Sequence, residues 1–414
     1  MPIRRTKTGC IPCRLSRRKC DEAKPTCQRC SNQNKNCTWP SSPNQSLTQI
    51  LAADSVSDYN FSTTKFKRVR TGFPSHSIQV ISDLTLKTCQ HEGFEKILKY
   101  ISAAHLTNID NSKSIIIESL HSSALSSVLK TELNSVTLEL RLSTYLFSIL
   151  GMTFIGLDND KLLKYVYLSL DLILKHNLTP VSTTYNLLLE SFIYNYSISV
   201  IITPPEILKK YDPFFVCKIL EQLVPSDWNT DETPFLNISV DIFLIAAKVS
   251  SLFKTKSIDF SKHQMLLVKL EEVCHRQPCV VQLSTQSERI FVPQSRANYL
   301  MIAACKILLW YLLPQNNDEK INTLIEETIN YLKISTNLKK DETLFALWGI
   351  FIIGIQLKRE EHKEFLNAML FAVWEERKNT GWLNAMNKLH IVWNKNLDLE
   401  VLHSKEFLSN MWFN

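Results

Sequence analysis

A cluster of cysteines near the amino terminus constrains this chain more than any other feature of its sequence. Six of the eleven cysteines lie within 28 residues, and their spacing repeats the pattern Cys-x2-Cys-x6-Cys twice. These six are Cys10, Cys13, Cys20, Cys27, Cys30 and Cys37. The first nine residues are basic and lack the apolar stretch of a secretory signal, so the oxidising compartment in which disulfides form is not indicated. The pattern therefore favours thiolates that bind metal.

Six thiolates are an unusual number for zinc, which takes four ligands in a tetrahedron. One ion would leave two sulfurs unused, and two separate ions would lack two ligands. If two of the sulfurs bridge both ions, the six sulfurs provide four coordination bonds for each metal. Nearby basic side chains can screen the negative charge of such a cluster. The spacing therefore predicts one cluster of two zinc ions within residues 10–37.

Positive charge is concentrated in the same segment. The whole chain has a formal net charge of +7, but residues 1–40 hold ten lysines and arginines against two acidic residues, a local charge of +8. The other 374 residues sum to −1. A compact positive field on a neutral body attracts phosphate, so nucleic acid is the expected partner.

The composition changes after residue 40. Serine, asparagine, aspartate and threonine dominate as far as residue 64, which predicts a flexible linker. A basic cluster follows, which either extends the DNA contact, serves as a nuclear import signal, or is only a solvated run of charge. Its basic members are Lys65, Lys67, Arg68 and Arg70. We expect the metal module in residues 1–40, the linker in 41–88 and a folded body in 89–414.

The body reads as helical throughout. Apolar residues recur at helical spacing from Phe94 to Ile101 and from Leu162 to Leu174, and similar patterns cover 238–253, 296–313, 319–334 and 343–357. Prolines separate these segments, and no convincing strand pairs are present, so an all-α body is predicted. Residues 297–313 and 344–357 are apolar but fall short of the roughly 20 residues of a bilayer span. We expect two buried core helices there and no membrane partner.

Residues 10–37 resemble the fungal zinc binuclear cluster, the Zn2Cys6 DNA-binding domain of fungal transcription factors. Features that match beyond the cysteines are Arg14, Lys19, Asp21, Pro25 and Cys37-Thr38-Trp39-Pro40. The resemblance implies a small module of two short helices around two zincs, in which Cys10 and Cys27 bridge the ions. A large all-α helical regulatory domain is expected to follow it.

The helical body carries a second resemblance. Its carboxyl-terminal part is similar to the end of the second type of fungal-specific transcription factor domain. The residues that carry this similarity are Leu347-Trp348-Gly349-Ile350-Phe351-Ile352-Ile353-Gly354, Arg359, Asn384-Ala385 and Ile391-Val392-Trp393. Most of these are expected core positions, so they indicate fold and lineage rather than chemistry.

The family's way of reading DNA can be transferred to particular residues. If residues 11–19 form a short helix, Arg14, Arg17 and Arg18 share one face. In the resembled family this helix enters the major groove over a CGG triplet, with base contacts from the positions of Ser16, Arg17 and Arg18. Arg17 is our choice for bidentate contact to guanine, whereas Ser16 departs from the basic residue usual at its position. The expected phosphate contacts are Arg14, Arg18, Lys19 and Lys35.

These features predict a nuclear, sequence-specific DNA-binding regulator of RNA polymerase II promoters, with double-stranded DNA and the transcription machinery as partners. One triplet is too short to specify a promoter, so a second half-site and a homo- or heterodimer partner are expected. A heptad that starts at Leu47 meets Asp54 at its third position and fails as a coiled coil. Dimerisation therefore uses the helical body, requires another protein, or does not occur. The alternative function is a helical adaptor that uses the zinc module only for anchoring.

An enzyme is the rival from another class. The sequence has no Gly-rich phosphate loop, no Gly-x-Ser-x-Gly and no His-Glu-x-x-His, and zinc ions with four thiolates each have no open position for water. Cys274-His275 with Cys279 looks superficially like a metal or nucleophile site, but we expect a structural role. The end of the chain, 406–414, is only weakly suggestive of an activation segment, so the choice between activator and repressor stays open.

Overall fold

The computed structural model describes two parts of the chain. In the metal module it describes residues 10, 13, 19–33, 37 and 39, and beyond the module residues 96, 97, 99–101, 104 and 123. The helical body is described from 138 to 413, except for 156–158, 177–182, 225–238, 277, 283–288, 294–295, 314–316, 336–345 and 378–379.

Helices make up most of the described chain. The module contains α1, Gln28–Asn32. The body contains α2 Leu138–Ile155, α3 Asn159–Lys175, α4 Thr183–Ser199, α5 Pro205–Lys210, α6 Pro213–Leu223, α7 Val240–Thr255, α8 Phe260–Arg276, α9 Arg296–Leu312, α10 Asp318–Ser335, α11 Leu347–Ile355, α12 Glu360–Arg377, α13 Thr380–Lys395 and α14 Lys405–Leu408. Short 3-10 turns cover Val200–Ile202 and Leu399–His403. The predicted combination of a small cysteine module and a helical body is confirmed.

Local sequence explains where several of these helices begin and which face they bury. Pro205 and Pro213 occupy the first positions of α5 and α6, where a missing N–H costs nothing. The Asp212 carboxylate accepts a hydrogen bond from the Phe214 N–H at 3.1 Å and caps α6. On α3, Leu162 and Val166 are buried while Lys164 is exposed, as the helical periodicity predicts.

The centre of the body is built from α7, α9 and α11, which pack side by side. Fourteen of the sixteen residues of α7 and all nine of α11 are buried. A Cβ at Gly349 would stand 2.8 Å from the carbonyl oxygen of Leu300, so this glycine permits the close approach of α11 to α9. The two apolar stretches expected as core helices are these two helices, α9 and α11. No helix in the described ranges is both long enough and apolar enough to cross a bilayer.

The expectation that the body has no strand pairs is wrong in one place. β1, Pro278–Gln282, and β2, Arg289–Pro293, form an antiparallel hairpin in which Val280 lies opposite Phe291. Both strands are short and lie between long helices. Helical periodicity over the neighbouring segments therefore dominates the sequence signal in this region.

The carboxyl-terminal segment is part of the core. Met411, Trp412 and Phe413 are buried, and the carbonyl of Phe413 accepts a hydrogen bond from the Tyr194 hydroxyl at 2.9 Å. Earlier in the chain, the carbonyl of Leu402 accepts a hydrogen bond from the Lys254 ammonium at 2.8 Å. These residues are therefore packed against the helices of the body.

Candidate metal centre and nucleic-acid interface

The described backbone of the module is organised around its cysteines. Cys27 is the N-cap of α1, and its Sγ accepts a hydrogen bond from the Cys30 N–H at 3.4 Å. The carboxylate of Asp21, which follows Cys20, accepts from the Gln28 N–H at 2.9 Å. The residue that follows the first cysteine repeat therefore caps the helix of the second, which joins the two halves.

The six sulfurs converge into two overlapping groups. The sulfurs of Cys10, Cys13, Cys20 and Cys27 lie within 4.8 Å of one another, and so do those of Cys10, Cys27, Cys30 and Cys37. Two cysteines, Cys10 and Cys27, belong to both groups, and their Sγ atoms are 3.6 Å apart. Within the described residues, these are the only groups of three or more potential ligands close enough to hold a metal ion.

The distances between the sulfurs fit zinc. Four thiolates held tetrahedrally about 2.3 Å from zinc stand about 3.8 Å from one another. The pairs Cys10–Cys30, Cys13–Cys27 and Cys10–Cys20 each have an Sγ–Sγ distance of 3.7 Å. The donor set is also the one zinc prefers, because all the ligands are sulfur.

The two repeats are related by an internal two-fold symmetry. The Cys10 N–H donates to Cys20 Sγ at 3.4 Å, and the Cys27 N–H donates to Cys37 Sγ at 3.3 Å. The Cys10–Cys30 contact likewise has its counterpart in Cys27–Cys13. The repeated spacing in the sequence therefore corresponds to two equivalent halves, each of which completes the ligand group of the other.

Without metal, these thiols do not ionise alike. Burial raises the pKa of Cys10 and Cys13 above the ordinary thiol value, and it raises that of Cys30 to about 12. The hydrogen bond from the Cys30 N–H lowers the pKa of Cys27 to about 6. A divalent cation is needed to hold all of them as thiolates at neutral pH, so binding metal releases protons and stabilises the folded module.

Trp39 closes the module. Its Nε1–H donates to the Pro25 carbonyl at 2.8 Å, and the ammonium of Lys24 lies 5.5 Å from the centre of its ring. Sequence analysis singled out Pro25 and Trp39 as separate matching features but missed their contact. The tryptophan two residues after the last ligand was the available signal, because an indole N–H near a compact module usually finds a carbonyl partner.

Most of the residues expected to contact DNA lie outside the described part of the chain. Lys19 is described, and its side chain is exposed directly before the ligand Cys20. The predicted residues that fall outside are Arg14, Ser16, Arg17, Arg18, Lys35, Lys65, Lys67, Arg68 and Arg70. Their assigned contacts stay predictions.

The second cysteine group of the sequence is described only in part, at Cys274 and His275. Cys274 lies half-buried on α8, and burial raises its pKa, which makes it a poor nucleophile at neutral pH. Among the described side chains, Cys274 and His275 belong to no ligand group, and Cys279 lies on strand β1.

Comparison with known proteins identifies the amino-terminal module. Residues 8–46 match the family model of the fungal Zn(2)-Cys(6) binuclear cluster domain. A domain of this kind binds two zinc ions through six cysteines, so zinc is the metal that the convergent sulfurs hold. The match covers the module and not the body, and the likeness of the body to the second type of fungal-specific domain stays a prediction.

Curated relatives share the same segment. The chain is 44% identical over 54 residues to transcription factor lfc1 of Flammulina velutipes, 13% of this chain and 19% of the relative. It is 49% identical over 55 residues to transcriptional regulatory protein moc3 of Schizosaccharomyces pombe, 13% and 10% of the two chains. It is 59% identical over 34 residues to white-opaque regulator 2 of Candida albicans, 8% of each. The chain thus spans a fifth or less of the length of these relatives. No solved structure matches the chain.

Proposed function

We propose that this chain is a transcription regulator that binds double-stranded DNA through its Zn(2)-Cys(6) domain and acts in the nucleus. The match of residues 8–46 to that domain carries the proposal. The named roles of the relatives that share this segment support a function in transcription rather than in catalysis. The helical body would then act as the regulatory and partner-binding part of the molecule.

In this proposal the six cysteines bind two zinc ions, with Cys10 and Cys27 as the bridging ligands. Support comes from the two sulfur groups, since these two cysteines alone are common to both. Bound zinc supplies cross-links that a segment this short lacks. The N–H groups of Cys10 and Cys27, which donate to the sulfurs of Cys20 and Cys37, offset part of the negative charge that six thiolates concentrate in one place.

The DNA contacts are assigned to the basic residues of the module. Arg17 is proposed to read guanine in a CGG triplet through the O6 and N7 atoms of the base, because it lies three residues before the zinc ligand Cys20 in the sequence. Arg14, Arg18, Lys19 and Lys35 are proposed to contact phosphates, and Ser16 donates a weaker hydrogen bond to the DNA. The exposed position of Lys19 beside a buried ligand supports such a contact.

The decisive experiment is competition binding of the full chain to CGG-containing and scrambled duplexes at one fixed salt concentration. Arg17→Ala is expected to keep both zinc ions and to reduce the preference for CGG by about 1–3 kcal/mol. Arg17→Lys should recover part of the preference, because lysine lacks the planar fork. Arg359→Ala in the helical body is the matched control, and it should leave the preference unchanged.

Two results would count against the assignment. An alanine variant with the wild-type preference would move base reading to another side chain, first of all Arg18. A wild-type chain that binds CGG and scrambled duplexes equally would overturn sequence-specific regulation. It would favour the adaptor, which uses the module for anchoring alone.

A further inference from the structure

The last helical hairpin has an exposed outer face. α12 ends at Arg377 and α13 begins at Thr380, so the two helices are joined by two residues and run antiparallel. Across the pair, His390 Nε2 lies 2.8 Å from Asn367 Oδ1. We call ten exposed residues of these helices the hairpin face: Glu364, Ala368, Phe371, Ala372, Glu375, Asn387, His390, Ile391, Asn394 and Lys395. Glu360 and Glu361 are also exposed at the start of α12, but they form ion pairs with Lys363 and Lys333 and are not counted in this face.

The middle of the hairpin face is apolar. Phe371 on α12 is 47% exposed and Ile391 on α13 is 40% exposed, so each helix presents a large apolar side chain to water. Ala368 and Ala372 leave the surface around Phe371 flat enough for close approach. Half-buried Trp374 packs against Phe371, with 5.5 Å between the ring centres, and adds to the apolar area. Such a centre, surrounded by polar residues, is typical of a protein interface.

The charges of the hairpin face are divided between its two helices, with the acidic residues Glu364 and Glu375 on α12 and Lys395 on α13. Glu364 is exposed near the start of α12, and Lys395 is exposed at the end of α13, which contains no acidic residue. Neither side chain forms an ion pair with another residue in the described parts of the chain. One helix therefore offers an unpaired negative charge and the other an unpaired positive charge.

The two charges lie at similar heights on the hairpin. Asn367 and His390 contact each other and therefore mark one level. Glu364 lies about 4.5 Å from that level, and Lys395 lies about 7.5 Å from it in the same direction, because the helices run in opposite senses. A two-fold axis parallel to the helices places α12 of one copy against α13 of the other. It then brings Glu364 beside Lys395 at two symmetric positions.

We propose that the hairpin face is the surface through which two copies of this chain associate. Its two helices complement each other in charge, so the face is complementary to a second copy of itself. The proposal also rests on the proposed function in one respect, because a single triplet cannot specify a promoter and a second DNA-binding module must be supplied. The sequence from residue 47 onward does not predict a coiled coil, since Asp54 occupies the third core position of the heptad.

The size of the hairpin face suits a weak, reversible dimer. Helices of 18 and 16 residues are about 27 and 24 Å long, and two neighbouring helices span about 20 Å. The projected face of roughly 500 Å² is slightly smaller than the roughly 600–1,000 Å² that each partner buries in a standard interface, and interfaces of this size are typically transient. We therefore expect association at micromolar concentrations.

The test measures the mass of the full chain by light scattering and sedimentation from about 1 to 50 µM, without DNA. The expected result is a species of twice 47.8 kDa for the wild type and 47.8 kDa for Phe371→Glu. Phe215→Glu on α6 is the matched control, since Phe215 is 61% exposed but lies outside the hairpin face, and this variant should still dimerise. Circular dichroism verifies that both variants fold.

Charge reversal tests the orientation. Glu364→Lys alone and Lys395→Glu alone should each weaken the dimer, and the double variant should restore it. A wild type that stays at 47.8 kDa, a Phe371→Glu variant that dimerises normally, or a double variant that is not restored overturns the proposal. DNA is absent, so this outcome is independent of the proposed function. A monomer that still prefers CGG duplexes would keep that function and lose this interface.

Discussion

The metal module and the helical body reach a buried interior by different means. In the described module the interior consists of cysteine sulfurs, with Trp39 packed beside them. The interior of the body consists of aliphatic and aromatic side chains drawn from all its long helices. A segment of about 40 residues cannot bury enough apolar area to offset the entropy of folding, so metal–sulfur bonds replace it. The difference predicts that each region can be destabilised without the other.

The largest expected effect comes from removing a shared sulfur. Cys27→Ser removes a ligand from both sulfur groups and should abolish binding of both zinc ions, whereas Cys20→Ser affects one group directly. Native mass spectrometry of the full chain counts the ions. In both variants the thermal unfolding of the helical body should be unchanged, because its core contains none of these residues.

Cys274→Ser in the body is the control and should retain two zinc ions. A Cys27→Ser chain that still carries two ions would contradict the bridging assignment. A body that melts together with the module would contradict the independence of the two regions.

The next effect concerns the core of the body. Gly349→Ala places a methyl group 2.8 Å from the backbone oxygen of Leu300, which cannot move without separating α9 from α11. We expect a loss of about 1–3 kcal/mol in the free energy of unfolding, measured by denaturant titration. Zinc content should not change.

Gly354→Ala is the matched control on the same helix. Its new methyl group meets the ends of the Leu366 and Leu389 side chains at 2.9 Å, and these can rotate away. Both substitutions gain the same helix propensity, so the difference between them isolates the backbone contact. Equal losses of unfolding free energy in the two variants would mean that the contact with the Leu300 backbone oxygen does not explain the effect of Gly349→Ala.

A smaller, pH-dependent effect is expected at Lys254. Burial lowers its pKa to about 8, and its ammonium donates to the Leu402 carbonyl. Because the folded pKa lies below the unfolded one, burying this charge costs stability at neutral pH, and the cost disappears as pH rises from about 8 toward 10.5. Lys254→Met should therefore stabilise the body by about 1–2 kcal/mol at pH 7 and lose that advantage near pH 10.

Lys256→Met tests the same substitution at an exposed site. Lys256 pairs with Glu400 at 2.7 Å on the surface, where an ion pair contributes about 0–1 kcal/mol. Unfolding at a series of pH values should show no matching pH dependence for it. If the advantage of Lys254→Met did not change with pH, the buried charge would not be its origin.

The smallest expected effect returns to the module. Trp39→Phe keeps an aromatic ring but loses the hydrogen bond to the Pro25 carbonyl, which should cost about 0.5–1.5 kcal/mol. The module should release zinc to a chelator more quickly while still binding two ions. If the variant released zinc at the wild-type rate, the hydrogen bond of Trp39 would not contribute to holding the module closed, and the zinc ligands alone would do so.

The sequence predicted the metal ligands of the module and the helices of the body, but it did not predict the contact that closes the module. Cysteine spacing alone indicated two metals and two shared sulfurs, because coordination number and ligand count constrain each other over a short segment. The buried helix expected over 296–313 was found as α9, Arg296–Leu312, because helical periodicity is a local property. The contact of Trp39 with Pro25 was not predicted, since it depends on how the chain turns between Cys20 and Cys27.

By itself, the sequence determined the metal, the positive charge of the module and the helical character of the body, all of which follow from residue type and short-range spacing. Only the tertiary structure decided that Phe413 lies in the core and that Asn159 donates to the Leu408 carbonyl at 2.6 Å, across 249 positions of the chain. It also decided that Glu364 and Lys395 lie near one level of the same exposed face. Contacts between distant residues arise from the packing of whole helices, and no local pattern encodes which faces will meet.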